Sequence, residues 1–429
     1  MKRRTILTLA NGCLLTAPLF SRRSSPKRKR RNGAGIKKIV VCFLRGGNDC
    51  LNTMVPVDST QFNYYSNLRP TLGLSQAELV NIPGDGFFGL HPGLAPLVDI
   101  IQSGSLALVH AVGYPGSDRS HFESQSYYET AVPGFGLLDG WLNRYLAHTT
   151  GPGLIRGVTI GSNIHQSVTG TVTVPVSSNF GLTIIEVDPF LSVTPAEKYR
   201  TALQQVYNQT STSGNEALYG AGNKIFQMVN RFSDRNLNEY VPENGAIYPD
   251  STFGQGVAHA AQMLKDDETS PLGVEVVTLN QNGYDTHSNQ VIPGNPATID
   301  RAHGLLLNEL AQAMEAFYTD MGSARMDDTV FLVVSEFGRR AFENDSFGTD
   351  HGTGSLAMVM TNGVNAPTFN GGDNWPGLES SNLFDGGDLN WVSDFRDIYW
   401  EILTNHFGVD QSTVDLIIPG HVYNPPGII

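Results

Sequence analysis

Three runs of apolar and β-branched residues, each followed directly by polar side chains, constrain the fold of this chain more than any other feature. The runs and the polar residues after them occupy residues 39–49, 274–287 and 330–339. A short apolar run that ends in Gly, Asn or Asp is typical of a buried strand in an α/β sheet. Ligands of such sheets bind beyond the carboxyl ends of the strands, so we expect these polar residues to converge at one edge.

The order of the other predicted elements favours one large domain. Strands are predicted at 106–112, 157–160 and 356–360, and helices at 196–208, 217–232, 254–264, 299–318 and 395–406. Alternating strands and helices are typical of an α/β fold with helices on both faces of the sheet. We therefore expect a three-layer sandwich with a mostly parallel central sheet, formed as one domain with insertions by residues 37–429.

Basic residues are concentrated at the N-terminus. Residues 1–38 hold 12 of the 28 Lys and Arg and no Asp or Glu, which leaves 16 basic residues against 41 acidic ones in the rest of the chain. Such a surface repels polyanions at long range. This charge excludes a nucleic-acid-binding body, although a local metal site would still admit a small anionic substrate.

Residues 1–36 have the pattern of an export signal followed by a linker. Lys2, Arg3 and Arg4 precede an apolar stretch at residues 5–20 that is too short and too interrupted for a membrane span. A paired arginine before a moderately apolar run resembles a twin-arginine signal. We expect a periplasmic or extracellular protein without a membrane span in its mature form. The alternative is an uncleaved basic N-terminus.

Carboxylates and imidazoles follow the predicted strands where a metal site would be built. Asp49 follows the first run, Asp285 and His287 close the second, and Glu336 follows the third with His351 further on. Imidazoles and carboxylates are ligands of divalent cations. Asp49 on its own also fits a turn in which its side chain caps the following backbone.

A second kind of candidate lies at the predicted start of a helix after the strand at 106–112. Ser120 and Glu123 have the spacing of a capping box, in which both side chains bind amides of the first turn. A helix N-terminus also stabilises an anion and favours a nucleophile, so Ser120 could act as a nucleophile beside this capping role. The neighbouring Arg119 would clamp two anionic oxygens, which a lysine does less well.

Six motifs in order resemble the DUF1501 family of exported bacterial proteins. They are RGGND (45–49), LHPGLAPL (90–97), SDRSHFESQ (117–125), GYDTH (283–287), SEFGRR (335–340) and GTDHGTG (348–354). That family is placed by similarity in the alkaline phosphatase and sulfatase superfamily. The resemblance implies an α/β sandwich with two divalent metals, usually zinc, around a nucleophile at a helix N-terminus.

The resemblance also implies roles for particular residues. The metal ligands would be Asp49, Asp285, His287, Glu336 and His351. The nucleophile would be Ser120, with His121 as an acid or base, and the substrate would be a small phosphate or sulfate ester. The Asp-His pair usual in the superfamily is Ser335-Glu336 here. Two alternatives stay open, namely a non-catalytic envelope binding or assembly protein with a degenerate metal site, and a protein that binds a single calcium ion through oxygen ligands.

Overall fold

A nine-stranded sheet runs through the centre of the protein in the computed structural model. The structure describes residues 35–134, 137–153, 155–178, 240–265, 272–300 and 302–429, together with a few isolated helical residues between 201 and 227. Residues Gly35–Ile429 form one compact unit. Among the residues described, no helix is long and apolar enough to cross a bilayer. The predicted export segment lies almost entirely outside them.

The strands form two sheets. The small sheet consists of β2 (Met54–Pro56), β3 (Val80–Asn81) and β4 (Phe88–Leu90), and the central one of β1 (Lys38–Arg45), β5 (Leu106–Gly113), β6 (Gly157–Ile160), β7 (Val176–Ser177), β8 (Val276–Asn282), β9 (Thr329–Ser335), β10 (Ser355–Met360), β11 (Thr368–Phe369) and β12 (Ser393–Asp394). The central order is β11-β5-β10-β9-β1-β8-β6-β7, with β12 beside β5. All central pairings are parallel except those of β10 with β5 and β9.

Nine α-helices can be delimited in the described part of the chain. They are α1 (Cys50–Thr53), α2 (Ser59–Leu68), α3 (Val98–Gln102), α4 (His121–Thr130), α5 (Trp141–His148), α6 (Thr252–Lys265), α7 (Ala302–Met326), α8 (Phe395–Glu401) and α9 (Gln411–Ile417). The helices predicted at 254–264 and 299–318 correspond to α6 and α7, and α8 continues as a π-helical turn, Ile402–His406. The predicted helices at 196–208 and 217–232 lie largely outside the described residues.

The central strands bury both faces, which produces three layers. In β1, Val40, Cys42 and Leu44 belong to one core cluster, which includes residues of α6 and α7. The alternate residues, such as Val41 and Phe43, belong to a second cluster, which includes residues of α5, α8 and α9. Successive side chains of a strand point to opposite faces, so a strand covered on both sides is apolar throughout. The predicted three-layer α/β fold with a mostly parallel sheet is therefore confirmed.

The reversed direction of β10 determines which residues reach the functional edge. Ser355, at the start of β10, pairs with Val112 near the end of β5. Residues that precede β10 therefore lie at the same edge as residues that follow the parallel strands β1, β8 and β9. His351 reaches this edge from the N-terminal side of its strand, whereas Asp285 and Glu336 reach it from the C-terminal side of theirs.

Candidate metal centre

The loop after β1 brings the neighbouring loops into contact at this edge. Gly46 has a φ of 121°, and a Cβ added there would lie 2.3 Å from the backbone nitrogen of Asp285. Its own backbone N–H donates to Oε1 of Glu336 at 2.8 Å. Only glycine accommodates this conformation together with so close an approach. The loops after β1, β8 and β9 are thereby held against one another.

Three histidines converge on one oxygen of Asp285. Its Oδ1 lies 3.4 Å from Nε2 of His121, 3.2 Å from Nε2 of His287 and 3.1 Å from Nε2 of His351. The last two nitrogens are 2.9 Å apart. His121 opens α4, Asp285 and His287 follow β8, and His351 precedes β10. Four potential ligand atoms from three separate parts of the chain therefore meet in one place.

The other ring nitrogen of each histidine is already held by an oxygen. Each δ nitrogen contacts one acceptor oxygen. These are Oε1 of Glu336 at 2.9 Å from His121, Oδ1 of Asp350 at 2.9 Å from His287, and the backbone oxygen of Arg119 at 2.7 Å from His351. A carboxylate or carbonyl oxygen can only accept, so each Nδ1 carries the hydrogen. In a neutral ring the ε nitrogen then presents its lone pair, which is how metal-binding histidines are oriented.

The unsatisfied atoms of the cluster fit a bound cation. Nε2 of His121 is buried and has no hydrogen-bond partner within the described structure. The lone pairs of His287 and His351 face each other at 2.9 Å, where two neutral rings repel. A divalent cation among imidazole nitrogens and a carboxylate oxygen removes both problems, and this donor set suits zinc.

The charges around the cluster favour ionised carboxylates. Burial opposes ionisation of Asp285, but the hydrogen bond that Arg339 donates to its Oδ1 lowers the pKa of its carboxyl to about 2. Burial likewise opposes ionisation of Glu336, and hydrogen bonds from His121 and Gln125 bring its pKa below the usual value. In return, the hydrogen bond to Glu336 raises the pKa of His121. The site therefore offers negative charge to a cation over the neutral pH range.

The sequence predicts Glu336 as a metal ligand. In the structure it contacts His121 and not Oδ1 of Asp285, the oxygen on which the three histidines converge. Its side chain is fully buried, and Oε1 accepts from Gly46 N, from Nδ1 of His121 and, at 2.8 Å, from Nε2 of Gln125. Its Oε2 accepts from Ser335 at 3.1 Å. In this arrangement Glu336 orients a ligand.

Asp49, the other carboxylate expected to bind metal, lies outside the cluster. It is buried in an ion pair with Arg69, whose Nη1 is 2.6 Å from its Oδ2, and the same oxygen accepts from Gln290. Burial acts against ionisation, but Arg69 lowers the pKa of Asp49 below its usual value. Among the residues described, one group of three or more ligand-type side chains can share a cation, formed by His121, Asp285 and His351. His287 adjoins two of these three.

Ser120 is the N-cap of α4, but its side chain makes no capping hydrogen bond. The backbone N–H of Ser120 donates instead to Oδ1 of Asp118. Glu123 forms a hydrogen bond with the same aspartate, which raises the pKa of Glu123. The predicted capping box is therefore wrong, because Asp118 competes for both of its partners. The Ser120 hydroxyl is not used to cap the helix.

Arg119 contributes to the site through its backbone. Its guanidinium is committed to Asp388, at 2.8 Å from Nε, and to Asp385, at 3.1 Å from Nη2. Its backbone oxygen holds His351. The anion clamp expected of this side chain is thus already occupied by carboxylates of the chain.

Two residues of the site were not among the metal ligands or catalytic residues that the family resemblance implied. Asp350 holds His287, and Arg339 is fully buried with Nη2 at 2.7 Å from Oδ1 of Asp285. The sequence feature that could have identified Asp350 is its position next to His351. The signal for Arg339 was its place three residues after Glu336, at the end of an apolar strand.

Several solved structures align with most of the chain. The C-terminal periplasmic domain of EcEptC from Escherichia coli, in complex with Zn, aligns over 77% of this chain and 74% of its own at 9% identity and a TM-score of 0.30. The PH0037 protein from Pyrococcus horikoshii aligns over 91% and 100% at 13% identity and a TM-score of 0.28. Alkaline phosphatase from the Antarctic bacterium TAB5 aligns over 88% and 100% at 8% identity and a TM-score of 0.31.

No curated protein matches the sequence. One family model matches, over residues 199–390, and its description is "Protein of unknown function (DUF1501)". This range contains Asp285, His287 and His351, whereas Ser120 and His121 lie before it. The resemblance to DUF1501 that the motifs indicated is therefore confirmed over residues 199–390, which contain three of the four residues of the histidine and aspartate cluster.

Proposed function

We propose that this protein is a metal-dependent hydrolase of a phosphate or sulfate ester, with one divalent cation, zinc by preference, held by His121, Asp285 and His351. The observation that carries the proposal is the convergence of imidazole ε nitrogens on Oδ1 of Asp285, with every δ nitrogen held by an acceptor. Three protein ligands that leave one position free are typical of catalytic zinc.

The residues around the ligands keep them in place for this chemistry. When bound, the cation would supply Lewis acidity, which polarises an ester oxygen and favours a deprotonated nucleophile. Glu336 and the Arg119 carbonyl fix the rings of His121 and His351 so that the ε nitrogens need not reorient on binding. Arg339 fixes Asp285 from the buried side.

Ser120 is the proposed nucleophile. It lies beside the ligand His121 at the N-terminus of a ten-residue helix, and its hydroxyl is not used as a cap. Attack by its Oγ on phosphorus or sulfur would form a covalent ester of the serine and release the alcohol. A water molecule would then cleave that ester, regenerate the serine hydroxyl and release phosphate or sulfate. Partial positive charge at the helix start favours the anion that develops there.

The second candidate is a metal-binding protein without turnover. It is favoured by His287, whose ε nitrogen adjoins both Asp285 and His351 and would supply a fourth protein ligand. Four protein ligands are typical of structural zinc sites, which leave no position for a substrate.

Metal analysis combined with a hydrolysis assay tests the proposal. The full chain, loaded with zinc and desalted, is expected to retain one ion and to hydrolyse at least one of 4-nitrophenyl sulfate, bis(4-nitrophenyl) phosphate and 4-nitrophenyl phosphate. Ser120→Ala is expected to keep the zinc and lose turnover, whereas the matched variant Ser117→Ala keeps both. Unchanged turnover in Ser120→Ala excludes this nucleophile. One bound zinc with no turnover of any ester supports the second candidate, and no bound zinc contradicts both.

We also propose that the protein is exported, on the strength of the basic residues that precede the apolar stretch at 5–20. Replacement of Arg3 and Arg4 by Lys is expected to retain the full-length protein in the cytoplasm if the twin-arginine route is used. Export that continues unchanged would contradict that route.

A further inference from the structure

We infer that the ester bound at this site carries a single negative charge, as a phosphodiester or a sulfate monoester does, in preference to the dianion of a phosphate monoester. The inference rests on the proposed function, because it names the substrate of the same metal centre. It follows from the ion pairs that already occupy the arginine side chains at this edge of the sheet.

Arg119 is the arginine closest in sequence to the proposed nucleophile, and carboxylates already neutralise it. Asp388, which is fully buried, lies 2.7 Å from its Nη2 and 2.8 Å from its Nε. Asp385 accepts from both terminal nitrogens, at 3.2 and 3.1 Å. A guanidinium that binds two carboxylates through these nitrogens has little left to offer a phosphoryl group.

Arg339 is also unavailable to a ligand. Its side chain is fully buried, and its donors bind the backbone oxygens of Gly46, Gly47, Tyr284 and Thr349 as well as Asp285. Arg340 lies 3.8 Å from Asp388 and sits over the ring of Phe342 at 5.2 Å.

Every arginine that the described structure places on the loops and helix starts of this edge has a carboxylate partner. The pairs are Arg45 with Glu129, Arg69 with Asp49, Arg119 with Asp385 and Asp388, Arg339 with Asp285, Arg340 with Asp388, and Arg396 with Asp394. The described lysines Lys37, Lys38 and Lys265 pair with Asp328, a backbone oxygen and Asp320. Within the part of the chain that the structure describes, recognition of ester oxygens therefore depends on the bound cation.

The remaining exposed charge near the centre is negative. Side chains of Asp350 and Asp385 are 52% and 66% exposed. One divalent cation together with Asp285, Arg339 and Glu336 leaves a single net positive charge. A phosphate monoester carries a second negative charge above a pKa of about 6, whereas a phosphodiester or sulfate monoester does not. The second charge would meet repulsion from these carboxylates without a compensating arginine.

Binding of two small probes to the zinc-loaded full chain at about pH 8, where methyl phosphate is a dianion, tests the inference without requiring turnover. Dimethyl phosphate is expected to bind about tenfold more tightly than methyl phosphate in calorimetry. Equal or tighter binding of methyl phosphate overturns the inference. Values of kcat/KM for the three nitrophenyl esters then separate a phosphodiester from a sulfate monoester as the substrate. Absence of turnover with this preference intact contradicts the proposed hydrolysis and leaves the charge selection standing.

A variant isolates the role of Arg119. Asp385→Asn removes one of its two partners at an exposed position with a φ of 50°, which asparagine tolerates. The preference for dimethyl phosphate over methyl phosphate is expected to fall about threefold or more. Asp415→Asn, an exposed change of equal charge on α9, is expected to leave the preference unchanged. An unchanged ratio in Asp385→Asn would show that the pairing of Arg119 does not set the selectivity, and so overturn the inference.

Discussion

The ε nitrogens of His287 and His351 lie 2.9 Å apart, although the δ nitrogen of each ring is already bound to an acceptor, Asp350 and the Arg119 carbonyl respectively. Two neutral rings held in this way repel each other, and a cation or an additional proton between them would remove the repulsion. The same two residues differ in exposure, since the side chain of His287 is 44% exposed and that of His351 is 20% exposed.

This difference predicts unequal contributions to metal binding. His351→Ala is expected to lower zinc affinity at least about a hundredfold, and His287→Ala about tenfold, because His351 belongs to the compact three-ligand group. Competition with a chromophoric chelator measures both affinities. Equal losses in the two variants would instead favour the closed four-ligand site of a non-catalytic protein.

Glu336 is expected to support metal binding without contacting the metal. Glu336→Gln removes the charge that holds Nδ1 of His121, and loss of such a partner typically lowers metal affinity about 10- to 100-fold. Glu343→Gln is the matched control, because Glu343 is a partly buried carboxylate that binds the backbone N–H groups of Thr71 and Leu72. The control should lose stability and keep its zinc affinity. Complete loss of zinc in Glu336→Gln would make Glu336 a ligand.

Asp49 and Asp285 are expected to respond in opposite ways to the same substitution. Asp49→Asn breaks a buried ion pair and leaves Arg69 uncompensated, at a cost of about 3–5 kcal/mol in the free energy of unfolding, with zinc still bound. Asp285→Asn, at a half-exposed side chain, should lose the zinc and change the stability of the metal-free protein far less. Urea unfolding and metal analysis check both variants. Loss of zinc in Asp49→Asn would restore Asp49 as a ligand.

Acid should destabilise the protein through buried histidines that do not belong to the metal centre. Burial lowers the pKa of His110 to about 4 from its ordinary value of 6.5, and it acts on His406 in the same way. These rings are neutral in the folded state, so the unfolded chain binds more protons between pH 4 and 6.5. Their stabilising contribution is complete above pH 6.5 and is lost as the pH falls towards 4.

Urea midpoints of the metal-free protein across this range test the effect. His110→Gln is expected to be less stable at neutral pH, because the ring of His110 stacks on Phe88 and its Nε2 contacts the Met54 backbone oxygen. It should nevertheless lose less stability on acidification than the unmodified protein. An identical pH dependence in the two proteins would contradict the assignment.

The central strands could be predicted because their signal is local. Leu106–Gly113, Gly157–Ile160, Thr329–Ser335 and Ser355–Met360 all match predicted runs within a residue or two at each end. Strands buried on both faces are continuously apolar, which a short window detects. The two-residue strands β7, β11 and β12 were not predicted, because they are defined by their pairing partners and not by their own composition.

The sequence by itself determined that polar residues follow apolar strands, and hence that Asp285, His287 and Glu336 lie at one edge. Only the tertiary structure decided which of them share a site. The antiparallel direction of β10 brings His351 to that edge, Arg69 binds Asp49 outside the histidine cluster, and Glu336 contacts the ring of His121. Periodicity along a chain encodes which side chains are buried, whereas the separation of distant residues depends on strand order and direction, which arise from packing of the whole domain.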